Sequence, residues 1–143
     1  MKKALLLLSL SALSVAGYSQ CNQKLALESS KTEYLDAAGT VQRTVDENST
    51  LSIGTKDITI IPGGQTDHQM NGTIESVVSC AWSTPYKTGK TVLKAVFGDV
   101  SGDQKHATLT IEGKDGALTF LMEIDEFKDK KIRVSLSKFE EAK

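Results

Sequence analysis

The residues of this chain whose types could carry out chemistry are few: two cysteines, two histidines and a handful of neighbouring carboxylates. Nucleophilic catalysis needs a Ser or Cys beside a base. His68 lies in a polar stretch and His106 on the exposed face of an alternating run, and neither adjoins a candidate nucleophile in sequence. Acid–base work needs a close, buried pair of carboxylates. Asp99 and Asp103 flank "VSG", and Glu123, Asp125 and Glu126 crowd the end of a strand, so both groups read as solvated turn formers. "DVSGD" lacks the ligand series of a calcium loop. Gly63 and Gly64 have neither the spacing nor the following Lys-Ser or Lys-Thr of a phosphate cradle. Isolated cysteines and histidines do not make a zinc set. The pattern predicts no catalytic residue, no metal and no cofactor.

Cys21 and Cys80 remain, and their meaning depends on compartment. Lys2 and Lys3 precede an apolar stretch from Ala4 to Ala16, and small residues follow at Gly17 and Ser19. That order predicts a secretory signal peptide over residues 1–19. The run is about a dozen residues, short of the ~20 that a helix needs to span a bilayer. Two readings stand for Cys21. A lipoprotein signal wants a small residue before the cysteine, and Gln20 is long, so cleavage after Ser19 and soluble export to the periplasm or medium is favoured over an outer-membrane anchor through Cys21. In an oxidising space two thiols tend to pair. A Cys21–Cys80 disulfide is therefore expected, the alternative being a buried Cys80 and a free terminal thiol.

Removal of the leader leaves residues 20–143, about 124 in number, one domain by length and enough for a real core. Acidic residues number 18 and basic residues 17, and the leader takes two of the lysines with it. Nucleic-acid binding needs clustered cations. The one basic cluster, Lys128, Lys130, Lys131 and Arg133, is interrupted by Asp129, which predicts a solvated hairpin and no nucleic-acid partner.

Elements must position whatever function there is, and these elements are strands. "TIESVVSCAW" sets Ile74, Val78, Cys80 and Trp82 on one face. Pro85 and Gly89 break the ladder. A run apolar on both faces follows, with Leu93, Ala95 and Phe97 opposite Val92 and Val96, and then three alternating runs carry Ala107, Leu109 and Ile111; Leu118, Phe120, Met122 and Ile124; and Ile132, Val134 and Leu136. Links this short make neighbours antiparallel, since a parallel crossover needs a dozen residues or more. The first half reads less clearly. Two short runs are hinged at Gly54, and "KTEYLDAAGTVQRTV" is a hairpin turning at Asp36 to Gly39, with a helix over residues 25–38 as the alternative. Residues 62–72 read as a mobile loop that could act as a lid.

An all-β, single-domain, antiparallel up-and-down meander of eight or nine strands follows. A sheet of that size with one apolar face closes or packs on another. A closed barrel is the first expectation and a β-sandwich the second.

This layout, with "EYLDAAGTV" turning the first hairpin, resembles the lipocalin-like domains of small exported bacterial proteins, relatives of the calycin barrels. The chain departs from their opening Gly-x-Trp, having "NQKLALESS" there. The resemblance implies binding of a small apolar molecule inside the barrel without catalysis. Trp82, Phe97, Phe120 and Met122 are the candidate ligand-binding residues, with Met adapting to variable shapes, and a cavity is expected near Trp82, Phe97 and Phe120. The rival expectation is an envelope module that binds a protein or glycan outside, through Tyr34, Tyr86 and Phe127 grouped on one patch.

Overall fold

The computed structural model describes residues 20–98 and 101–142, so the expected leader and Asp99 lie outside the described residues. A short 3-10 turn at Gln20–Asn22 leads into eight strands: β1 (Leu25–Leu35), β2 (Val41–Ile53), β3 (Asp57–Ile61), β4 (Met70–Thr84), β5 (Thr88–Gly98), β6 (Gln104–Lys114), β7 (Ala117–Ile124) and β8 (Lys131–Glu141). Each pairs antiparallel with the next and β8 returns to β1, closing the barrel. The sandwich alternative is thereby removed.

Residues 25–38 form strand and turn, not helix. Asp36 Oδ1 accepts from the amides of Ala38 (3.0 Å) and Thr40 (2.9 Å), the Gly39 amide donates to the Asp36 carbonyl, and Gly39 takes φ +84°. Asp supplies the acceptor and Gly the left-handed backbone that this tight turn requires.

The core is the row of inward side chains, among which Leu27, Ile58, Leu109 and Ile111 are the largest that are fully buried. Faces set by alternation come out as expected on β5, β6 and β7. On β4 they do not. The register shifts between Ile74 and Ser76 and again between Val77 and Ser79, leaving Val78 57% and Val77 54% exposed. A bulge adds one residue to one strand, and each one reverses the side on which later residues emerge. Both lie beyond the reach of β3, four of whose five residues pair with β4, none past Thr73. A bulge also occurs on β8, where Glu28 faces Lys138 but Ser29 faces Leu136. It turns Phe139 into the core, a position that simple alternation assigns to the surface.

The barrel has unlike ends. At the base, Cys21 and Cys80 are joined in a disulfide, with Cα atoms 6.0 Å apart. The Trp82 indole N–H donates to Thr91 Oγ1 (2.8 Å), and its ring lies 5.5 Å from that of Phe139, which meets Tyr86 at 5.0 Å. Gln20 Oε1 accepts from the Tyr86 amide (2.9 Å) and the Tyr86 hydroxyl donates to Gln23 Oε1 (2.6 Å), so the N-terminal turn is drawn across this end. The other end, where β1, β3, β5 and β7 finish, is the mouth.

Candidate functional site

Three of the spaces at the mouth share apolar walls. A recess of about 340 Å³ lies among Met70, Phe97, Ala107, Met122 and Ile124, with Asp67, His68 and Gln69 beside them. A second, of about 380 Å³, lies among Tyr34, Leu35, Arg43, Ile124, Phe127, Lys130 and Ile132. Between them sits a chamber of about 70 Å³ inside the barrel, walled by Leu51, Ile60, Phe120, Met122, Ile132 and Val134. Ile124 belongs to both recesses, Met70 and Met122 to the first recess and the chamber, and Tyr34 and Ile132 to the second recess and the chamber.

Sheet geometry explains the grouping. Inward positions alternate along each strand, and residues at one level of neighbouring strands stand side by side. Arg43 faces Tyr34 across β2 and β1, Tyr34 faces Ile132 across β1 and β8, and Ile132 faces Met122 across β8 and β7. These four residues form one continuous row just inside the rim. On the far wall, Gly72 makes room for Phe97: a Cβ there would come within 2.8 Å of the ring. The chamber also has a polar side, with Thr32 and Ser49 lining it; Ser49 Oγ accepts from the Gly63 amide at 3.0 Å. Two buried polar atoms have no hydrogen-bond partner among the described residues: Ser29 Oγ on β1 and Gln20 Nε2 at the base.

The four residues singled out from sequence divide. Phe97, Phe120 and Met122 come together at the mouth and chamber. Trp82 stands at the base, 6% exposed, as a packed and hydrogen-bonded anchor, and lines none of the three mouth spaces. Its strand face correctly implied burial, but nothing in a period-two pattern states at which end a cavity lies. The same gap hid Met70, Ile124 and Ile132. Alternation marks them as inward, while their position at strand ends, next to the open rim, is a property of the closed barrel. Arg43 had no sequence signal at all.

Residues 62–72 are more ordered in form than a featureless loop. Pro62–Gly64 and Thr66–His68 are 3-10 turns, and β4 begins at Met70. Pro62 and the positive-φ Gly63 and Gly64 favour such tight turns. Asp67, His68 and Gln69 thereby reach the wall of the first recess.

The histidines are placed as surface groups. His68 Nε2 lies 3.9 Å from Asp67 Oδ2, both highly exposed. His106 Nδ1 is 2.7 Å from Glu126 Oε1, and the same carboxylate accepts from the His106 amide. This hydrogen bond holds the imidazole above its ordinary value and Glu126 below its own. Neither acid is buried, so neither pair has the desolvated setting of a catalytic dyad. Among the described residues no three His, Cys, Asp or Glu side chains converge as metal ligands, and no helix is long and apolar enough to cross a membrane.

Tyr34 and Phe127 share the second recess, whereas Tyr86 packs at the base against Phe139. The three aromatics do not form one patch.

No family model, curated protein or solved structure matches this chain.

Proposed function

We propose that this protein is an exported, non-enzymatic carrier of a small apolar molecule, taken up at the mouth of the barrel. One observation carries the reading: apolar recesses of about 340 and 380 Å³ share walls with an interior chamber at one end, while at the other end Trp82, Phe139 and Tyr86 pack together and the space beside Gln20 and Leu25 is about 110 Å³. Small-molecule sites are typically concave, mostly apolar and of about 300–1,000 Å³, with a few polar groups to orient the ligand. An eight-stranded barrel is also of the size that fills itself or holds one small ligand. Met70 and Met122 on adjoining walls give the site compliance. The disulfide is compatible with an oxidising compartment outside the cytoplasm.

The test uses the neutral fluorophore N-phenyl-1-naphthylamine and the Ile124→Glu variant. Ile124 is half-buried at the junction of both recesses, so a charge there spoils the apolar wall without entering the deep core. Saturable binding of one probe per chain, weakened at least tenfold in the variant, is expected. Non-saturable binding, or equal binding by a variant with unchanged circular dichroism, overturns the reading.

A further inference from the structure

Three cations at the mouth lie over aromatic rings, and two of them, Arg43 and Lys130, line the second recess with no carboxylate partner among the described residues. The Arg43 guanidinium carbon lies 4.3 Å from the Tyr34 ring centroid, and Lys130 Nζ lies 5.5 Å from that of Phe127. Ion pairs elsewhere on the barrel join Lys90 to Glu112, Lys131 to Glu123, Arg133 to Glu33, and Lys138 to Glu28 and Glu140, but none includes Arg43 or Lys130. Asp129 lines the same recess and pairs with neither. Arg43 and Lys130, together with the Glu123-paired Lys131, outnumber Asp129 in the lining of this recess, which leaves a net positive rim beside an apolar wall.

We propose that the ligand is a single-chain amphiphile with a carboxylate head, its head held at the rim by Arg43 and Lys130 and its chain lying across the mouth toward Met122; this rests on the carrier reading above. The row of register partners supplies the path. Arg43 stands at one end, Tyr34 and Ile132 follow, and Met122 at the other end opens on the chamber and the first recess. A guanidinium stacked on an aromatic face keeps its in-plane N–H donors free, and their fork matches a planar carboxylate. A neutral head group would leave both cations beside the ligand uncompensated. An ammonium head would be repelled, and more strongly next to an apolar wall than in open water.

The experiment compares decanoate with 1-decanol as displacers of N-phenyl-1-naphthylamine at pH 8, for the wild type and the Arg43→Gln/Lys130→Gln variant. Both substitutions are at exposed positions, so the barrel should persist. For the wild type, decanoate is expected to displace the probe at about a tenth of the concentration that 1-decanol requires, a difference of about 1.4 kcal/mol. The variant should lose that advantage and keep its response to 1-decanol. Equal displacement by both compounds in the wild type, or a variant that weakens both alike, overturns the head-group assignment and leaves the carrier reading standing. A wild type that binds neither the probe nor either compound removes the carrier reading, and this inference with it.

Discussion

Opening the Cys21–Cys80 bond should cost this protein a large part of its stability while leaving the folded barrel nearly unchanged. The bond joins residues 59 apart in sequence. In the chain-entropy account, a loop of that size restricts the unfolded chain by about 4 kcal/mol. The folded side changes little, because the N-terminal turn keeps its hydrogen bonds from the Tyr86 amide to Gln20 and from the Tyr86 hydroxyl to Gln23. A net stability of about 5–15 kcal/mol is usual for a single domain, so the loss is a substantial fraction. The assay is urea unfolding of the wild type and the Cys21→Ser/Cys80→Ala variant, followed by the fluorescence of Trp82. That residue is the sole tryptophan, and it sits beside Phe139 at the end of the barrel the disulfide closes. The variant should lose about 3–4 kcal/mol. Its denaturant slope should rise, because an unlinked unfolded chain exposes more surface. A loss under about 1 kcal/mol with an unchanged slope would refute the reasoning, since it would mean that the unfolded chain is already held compact across this loop. A native-state emission shifted in the variant would refute it differently, by making the bond a determinant of how the base packs.

At the same end, Thr91→Val removes the hydroxyl that accepts the buried Trp82 indole N–H, and an unpartnered buried donor costs about 1–3 kcal/mol. The urea midpoint should fall accordingly, and a midpoint equal to that of the wild type would contradict the assignment. The His106–Glu126 pair predicts a pH dependence with a definite sign. The hydrogen bond to Glu126 raises the His106 value from 6.5, so the pair's contribution is full between 4.5 and 6.5 and fades as pH rises through the raised value. The Glu126 value is lowered from 4.5, and its contribution is lost as pH falls through that lower value. A proton NMR titration should give a His106 midpoint above 6.5 that moves back toward it in Glu126→Gln. A midpoint already at or below 6.5 in the wild type would contradict the bond.

Much of the fold was legible because its determinants are local. Alternation placed Ala107, Leu109 and Ile111 of β6 and Phe120 and Met122 of β7 inside, and the short links between those runs required antiparallel neighbours. Asp36 and Gly39 announced the first hairpin through their own side-chain and backbone chemistry. The two cysteines and the leader-like start pointed to a pairing that the barrel brings about at its base. What escaped was whatever depends on contacts between distant segments. The bulges in β4 and β8 shift the register against neighbouring strands, and they expose Val77 and Val78 and bury Phe139 against the local pattern. Arg43, Tyr34, Ile132 and Met122 are spread over four strands and become one row only when β8 closes on β1. The sequence by itself therefore determined strand, turn and inward face, which short-range sterics and burial dictate. Tertiary structure alone decided which end is packed with aromatic rings and which holds the larger recesses, because that depends on where the strands end in space once the sheet has met itself.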